Sequence, residues 1–250
     1  MMLIDTHCHI HESDYPLPIG EVISRAVEAG VGQYVCVGTD AVSSRDAVGF
    51  AEDHEETFAA IGVHPHETKD GYDVVAQLAG TSDKIIAVGE IGLDYFYTHS
   101  PREVQMEALE AQITIALAHK LPIIFHVREA FDDFWPIFDK FPGIRGELHS
   151  FTDSKENLDK AIARGLYIGV NGISTFTKDE VQRATFDSIP LDRLLLETDA
   201  PFLTPAPFRG KVNEPAFVRN IAEYHADRRG ISLDEISSAT TANAHALFAF

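Results

Sequence analysis

Met2-Leu3-Ile4-Asp5-Thr6-His7 is a short, mostly apolar run that ends on a histidine. Further short apolar or β-branched runs recur along the chain, and longer amphipathic stretches separate them. A short run of this kind followed by a helical pattern reads as a strand and its return helix, and repetition of the unit reads as a parallel sheet. Strands are predicted at 2–7, 34–37, 58–63, 85–90, 122–126, 144–149, 166–170 and 194–199. Helices are predicted at 20–29, 43–53, 102–119, 155–164 and 178–186, with 213–229 and 233–250 closing the fold. Gly30, Gly165 and, more loosely, Gly143 stand where a helix must stop before the next strand. Eight strands with helical connections close most simply into a barrel. The expected fold is therefore α/β, a single TIM-like (β/α)8 barrel with closing C-terminal helices. The 250 residues suit one such barrel, and no repeat, low-complexity tract or Pro/Ser linker marks a second domain, so 1–250 is expected to be one domain.

Composition narrows the function. A hydrophobic fraction of 45% with 24% charged residues is that of an ordinary globular chain, and no apolar run approaches the ~18 residues of a membrane span. The opening residues carry no basic stretch ahead of an apolar core, so no secretory signal is expected. Cys8 and Cys36 are the only cysteines, too few for a disulfide framework or a Cys-rich zinc site, and a reduced cytoplasmic setting is the default. The net charge of −19 argues against coating long duplex DNA with a broad basic surface. Nucleic acid handled locally, through metals and a few basic residues, stays open.

The ligand-type residues sit where such a barrel places its active site, at the C-terminal ends of the strands. His7 and His9, His64, Glu90, His126, His149 and Asp199 all fall there. Residues two apart on a strand share a face, so His7 and His9 can both face inward while Cys8 turns away. Imidazoles joined by carboxylates suit a divalent ion. Alone, the His-x-His pair is a weak signal that is more often structural; with four more ligand types at other strand ends it points to metal. Six ligands exceed what one open site needs, and they split into two ions if a carboxylate bridges. Glu90, midway around the strands, is the natural bridge. Ions roughly 3.5–4 Å apart can bind both oxygens of a phosphate displacement.

Asp5-Thr6-His7-Cys8-His9, Gly62-Val63-His64-Pro65-His66, Gly89-Glu90-Ile91-Gly92-Leu93-Asp94-Tyr95, His126-Val127-Arg128-Glu129-Ala130, Leu148-His149-Ser150-Phe151-Thr152 and Glu197-Thr198-Asp199-Ala200-Pro201 together resemble the TatD-type metal-dependent deoxyribonucleases, a branch of the amidohydrolase superfamily. Arg209-Gly210-Lys211, Asn213-Glu214-Pro215 and Asn243 extend the resemblance over essentially the whole chain. It implies a βα-barrel hydrolase of phosphodiesters, typically a DNA exonuclease, with two divalent ions (Mg, Mn or Zn). It implies His7, His9, Glu90 and Asp199 on one ion, and Glu90, His126 and His149 on the other. Ser150 stands where relatives often carry Cys, a departure that should not touch the chemistry.

Among the supporting residues, His64 is expected to donate to a phosphate oxygen or, alternatively, to hold a loop. His66 is expected to be a loop residue and His11 structural. Arg128 is placed to clamp a phosphate, with an ion pair near Glu90 or to Glu129 as the rival. Glu197 either orients a ligand histidine or pairs with an arginine. Tyr95, Phe96, Tyr97, Phe151, Phe176 and Phe202 follow strand ends, where they can stack on bases or plug the barrel top. Arg209 and Lys211 are surface charges on their own, and the resemblance implies substrate contact.

Asp199 is expected to act as general base as well as ligand, with Glu90 and His64 completing the catalytic set. The leading function is a phosphodiesterase trimming nucleic acid at ends or single strands, with no membrane and no obligate protein partner. The same centre hydrolysing an amide, lactone or aminoacyl ester of a small molecule or tRNA is the alternative. Against the amide branch, Glu90 stands where a carboxylated lysine would be needed. A binding module on an inactive barrel is the third reading, disfavoured by the complete ligand set. No phosphate loop, Gly-x-Ser-x-Gly elbow or His-Glu-x-x-His is present.

Overall fold

In the computed structural model, which describes residues 2–97 and 99–249, the elements run β1 (Leu3–Cys8), α1 (Ile19–Glu28), β2 (Val31–Val37), α2 (Ala41–Asp53), β3 (Thr57–Ile61), α3 (Asp73–Leu78), β4 (Ile85–Asp94), α4 (Arg102–His119), β5 (Ile123–Arg128), α5 (Phe131–Phe138), β6 (Gly146–Leu148), α6 (Lys155–Ala163), β7 (Tyr167–Val170), α7 (Ile173–Phe176), α8 (Glu180–Asp187), β8 (Leu194–Leu196), α9 (Val218–Arg229) and α10 (Leu233–Phe248). The strands form one sheet in chain order, parallel at the β3–β4, β4–β5, β5–β6 and β7–β8 pairings. Cys8 and Ala200 form a parallel bridge that brings the chain after β8 to β1. The fold is a nearly closed α/β barrel of the TIM type. By internal packing the chain divides into two units, residues 1–35 with 150–249, and residues 36–149.

In the unit of residues 36–149, β4 is buried at all ten positions and decides the local geometry. The strand was expected to stop at Glu90 but continues to Asp94, so Glu90 lies mid-strand. Val88 pairs with Ile123 and Ile91 with Phe125, three steps against two, which is a bulge that re-aims the side chains between them. Gly89 and Gly92 weaken the strand pattern in the sequence, and packing explains them. A Cβ on Gly92 would lie 1.8 Å from the His126 carbonyl oxygen, so only glycine lets β4 lie against β5 at this level. α4 covers the strand, burying Ala108, Leu109, Ile113 and Ala116. The α5 helix is not expected from the sequence because it is only eight residues long and Pro136 sits inside it; Phe131, Phe134, Trp135, Ile137 and Phe138 are buried while Asp132 and Pro136 face solvent.

In the unit of residues 1–35 and 150–249, β8 ends at Leu196 rather than at 199. Beyond it the Asp5 side chain replaces the strand ladder, accepting from Thr198 N at 2.8 Å and Thr198 Oγ1 at 2.5 Å. The α8 helix starts two residues later than expected because Asp179 caps it, accepting from Val181 N and Gln182 N. Pro215–Phe217 forms a 3-10 turn ahead of α9, where continuous helix was expected. α10 stops at Phe248; position 250 lies outside the described residues. The short helices α3 and α7 were also not anticipated, since four to six residues carry too little periodicity.

His225, on α9, is buried. Ser174 Oγ donates to Asn171 O at 2.7 Å and so accepts from His225 Nε2 at 2.9 Å. Burial, aided by the nearby Arg229 charge, pushes the imidazole down to about 3. The ring is therefore neutral when folded and takes a proton in the unfolded chain below its ordinary pKa of about 6.5.

Two outcomes follow. Gly92→Ala should destabilise the fold by roughly 1–3 kcal/mol or more, whereas Gly49→Ala, in the exposed interior of α2 with open space around it, should stabilise by up to about 1 kcal/mol; denaturant titration of both variants checks the contrast. Between about pH 6.5 and pH 3 the unfolded state binds one proton more at position 225, so this group's contribution to stability is full above that window and falls by about 1.4 kcal/mol per pH unit as pH drops. Unfolding free energies of wild type and His225→Gln at pH 6.5 and pH 5 should show the variant losing less over that interval.

Candidate metal centre

In the unit of residues 36–149, the Glu90 carboxylate is ringed by imidazoles. Its Oε1 lies 2.7 Å from His126 Nδ1, 3.6 Å from His64 Nε2 and 3.6 Å from His149 Nε2. Ligand atoms of His64, Glu90 and His126 all lie within 4.8 Å of one another. The other face of His126 meets Asp94, whose Oδ2 accepts from Nε2 at 3.0 Å. Burial opposes charge on His126, but hydrogen bonds to Asp94 and Glu90 outweigh it and raise the ring above its ordinary range. A place that holds a proton on a buried ring is a place of negative potential, which suits a cation. With Nε2–H committed to Asp94, a neutral His126 presents its Nδ1 lone pair on the Glu90 side.

His64 has a different environment. Its Nδ1 accepts from the backbone N–H of His66 at 3.2 Å, so the neutral ring carries its proton on Nε2, toward Glu90. Burial first, and then the His126 charge, hold it well below the ordinary histidine range. His64 is thus a neutral ring with its Nε2–H toward Glu90, while its Nδ1 ties the loop backbone at His66. His66 is more than a loop residue: its Nε2 lies 3.1 Å from Asp94 Oδ2.

Asp94 was not anticipated, and neither were its supports. Fully buried, it also accepts through Oδ1 from the amides of Phe96 (2.9 Å) and Tyr97 (3.1 Å). Burial pushes its carboxyl up, but the His126 hydrogen bond and charge, the Tyr97 amide and His66 more than reverse this and hold it well below the usual carboxylate range. Two buried glutamines on α4 clamp the strand ends. Gln105 Oε1 accepts from Asp94 N (2.9 Å) while its Nε2 donates to Asp94 O (3.1 Å). Gln112 does the same for Val63, accepting from N at 2.8 Å and donating to O at 3.2 Å, which fixes the residue before His64. Glutamines seven apart on the apolar face of one helix were the available signal.

In the unit of residues 1–35 and 150–249, His7 Nε2 lies 3.2 Å from His9 Nε2, and Asp199 Oδ1 lies 3.7 and 3.4 Å from them. Asp199 adopts φ +59°, a conformation that aspartate tolerates, with its N–H on His7 O at 2.9 Å. Asp5, two residues from His7, is pushed up to about 8 by burial. Glu197 Oε1 accepts from Ser150 N at 2.7 Å, and Ser150 Oγ accepts from Asn171 Nδ2 at 2.8 Å; the departure at position 150 is thereby built into the polar network. Gly169 leaves room for Glu197, whose Oε2 would lie 2.3 Å from a Cβ there.

The expected substrate-contacting cations are placed as follows. The Arg128 guanidinium lies 3.8 Å over the Phe96 ring and 5.3 Å from Tyr97, and among the described residues it makes no ion pair, so neither rival ion pair forms. Arg209 stacks at 3.8 Å on Phe176 and donates to Thr204 O; Lys211 lies 5.0 Å over Phe208. Both ride on the stretch after Asp199, which is tied at its far end. Asn213 Nδ2 donates to Thr198 O (2.7 Å) and Phe202 O (2.5 Å), and Arg25 makes a bidentate pair with Glu214 at 2.6–2.9 Å.

Buried imidazoles and carboxylates at the strand ends of an α/β barrel define a metal-dependent hydrolase. A family model described as TatD related DNase matches residues 4–249. The Bacillus subtilis (strain 168) protein called uncharacterized metal-dependent hydrolase YabD is 38% identical over 253 residues, covering 99% of each chain. The Erwinia amylovora protein named 3'-5' ssDNA/RNA exonuclease TatD is 34% identical over 257 residues, covering 98% of this chain and 99% of its own. The crystal structure of the Escherichia coli K12 TatD homolog YJJV matches with a TM-score of 0.92 at 30% identity, covering 99% of this chain and 98% of that one. The chain belongs to the TatD family of metal-dependent hydrolases.

Asp94→Asn should separate the two duties of this carboxylate. The amide oxygen can still accept from Phe96 and Tyr97, but an NH2 then faces His126 Nε2–H, donor against donor. Metal affinity should fall by about 10- to 100-fold with a smaller change in the thermal midpoint, read by isothermal titration with Mn²⁺ alongside thermal unfolding.

Proposed function

We propose that the protein is a divalent-metal phosphodiesterase that shortens single-stranded or frayed nucleic acid from an end. The observation that carries the metal part is the Glu90 oxygen with three imidazole nitrogens within 3.6 Å. A donor set of imidazole nitrogen and carboxylate oxygen fits Zn²⁺ or Mn²⁺, with Mg²⁺ the more oxygen-dependent choice. Two ions are proposed, His7, His9, Glu90 and Asp199 holding one, and Glu90, His126 and His149 the other. When bound, they would polarise a phosphoryl oxygen and raise the acidity of water. The phosphodiester part is supported by similarity to the Erwinia amylovora protein named as an ssDNA/RNA exonuclease, and by the −19 net charge, which disfavours broad duplex coating.

The chain's own groups divide the work. Asp199 takes the proton of the attacking water on its carboxylate, the general-base step. His64, neutral and protonated on Nε2, donates a hydrogen bond to a phosphoryl oxygen as charge builds there. Asp94 and Gln105 keep His126 aimed. Arg128, Arg209 and Lys211 attract the phosphate backbone. Residues 1–250 act as one hydrolase barrel, in the cytoplasm and without a membrane or an obligate protein partner. Among the described residues no helix is long and apolar enough to cross a membrane, and both cysteines are buried.

The test is hydrolysis of single-stranded DNA, RNA, blunt duplex and an aminoacyl ester by chelated and metal-reloaded protein. Reloaded protein should release mononucleotides from single strands, and chelated protein should be inactive. Asp199→Asn should lose roughly 10²–10⁴ in turnover while losing proportionately less metal, by elemental analysis. Turnover confined to the ester, or undiminished in demetallated protein, would remove this reading.

A further inference from the structure

Among the described residues of the unit 36–149, Phe96 and Tyr97, in the loop between β4 and α4, are the two large aromatic side chains left open to solvent, at 48% and 44% exposure. Their rings meet edge to face at 4.6 Å. Loop aromatics this exposed ordinarily have little to hold them, yet here the backbone of both is fixed by the buried Asp94 carboxylate. The same carboxylate holds His126 through its other oxygen. Arg128, next but one to His126 on β5, lays its guanidinium across Phe96 at 3.8 Å. Beside Tyr97 opens a cavity of about 290 Å³ whose lining includes Tyr95, His99, Ser100 and Arg102, with the Arg102 guanidinium 4.1 Å over Tyr95.

We propose that Phe96, Tyr97 and Arg128 form a stacking shelf for a nucleobase of the bound strand, within a few nucleotides of the scissile bond. This rests on the single-strand reading above and adds to it what would hold the base rather than the phosphate. The chemistry of the shelf selects such a ligand. Flat aromatic faces and a guanidinium plane stack on any base, while the positive charge, unpaired among the described residues, suits a polyanion. Preorganisation by Asp94 means that little loop entropy is lost when a strand arrives. An apolar partner protein is the poorer match, because the guanidinium already covers one face of Phe96. In the other unit Phe151 is buried and Phe176 lies under Arg209, while Phe202 is open to solvent at 58% with its ring 6.5 Å from that of His9 but has no guanidinium over it among the described residues.

The experiment uses metal-loaded protein and single-stranded DNA carrying one abasic nucleotide, walked inward from the 3' end. For wild type, KM should rise on the order of 10-fold when the abasic position reaches the shelf, with kcat within about twofold. Phe96→Ala/Tyr97→Ala should raise KM on intact strands by a similar factor and show no further penalty from the missing base, its thermal midpoint staying within a few degrees of wild type. Phe96→Trp/Tyr97→Phe, which keeps both rings, should restore the dependence on the base. If wild type cleaves DNA but ignores the abasic position, or the alanine variant keeps the full penalty, the shelf is wrong and the exonuclease reading survives. If wild type cleaves no strand, both fall.

Discussion

The buried carboxylate of Asp94 is the contact on which the rest of the site hangs. A carboxylate out of water is costly unless its lone pairs are occupied, and here three hydrogen bonds and a third-party imidazole occupy them: His126 Nε2, the amides of Phe96 and Tyr97, and His66 at 3.1 Å. Each satisfied lone pair also imposes a geometry. The His126 ring is turned so that Nδ1 faces Glu90, the loop after β4 is bent back on itself, and the strand end cannot drift because Gln105 grips the same residue's backbone. Low dielectric strengthens all of these together.

Residues 1–35 and 150–249 use the same device with the opposite electrostatic result. Asp5 is as buried as Asp94, yet its partners are the amide and hydroxyl of Thr198 rather than imidazoles, so desolvation wins and its carboxyl is pushed up to about 8. A neutral acid there orients Thr198, and through it Asp199, without adding negative charge. What faces a buried acid thus weighs alongside its desolvation in deciding whether it ionises.

Most of the barrel was legible because strand–helix alternation survives in local composition: the α4 limits, 102–119, can be read directly from its pattern. Errors cluster where tertiary contacts override local preference. Glycines at 89 and 92 look like a strand end, but their function is to let two strands approach closely. Thr198 and Asp199 look like strand, but a side chain intercepts the ladder. The α5 helix is only eight residues long and carries Pro136, so its period is too short and too interrupted to read locally. Of the site, the seven strand-end ligand types could be found because metal chemistry restricts residue identity. Asp94, Gln105 and Gln112 could not be found that way. Their roles come from hydrogen bonds across the fold; the glutamines' place on the apolar face of α4 marks them as buried but does not say what they bind.

The stretch that leaves Asp199 and returns at Asn213 begins and ends on the same few atoms, Thr198 O and its neighbours, with Arg25 and Glu214 as an outer clasp. A loop closed at its base separates its contents from its ends. Doubling the chain between the ties would cost only about 0.6 kcal/mol in closure entropy. Arg209 and Lys211 ride on this segment. A closed base of this kind makes the length and charge of the segment a variable separate from the backbone that presents Asp199.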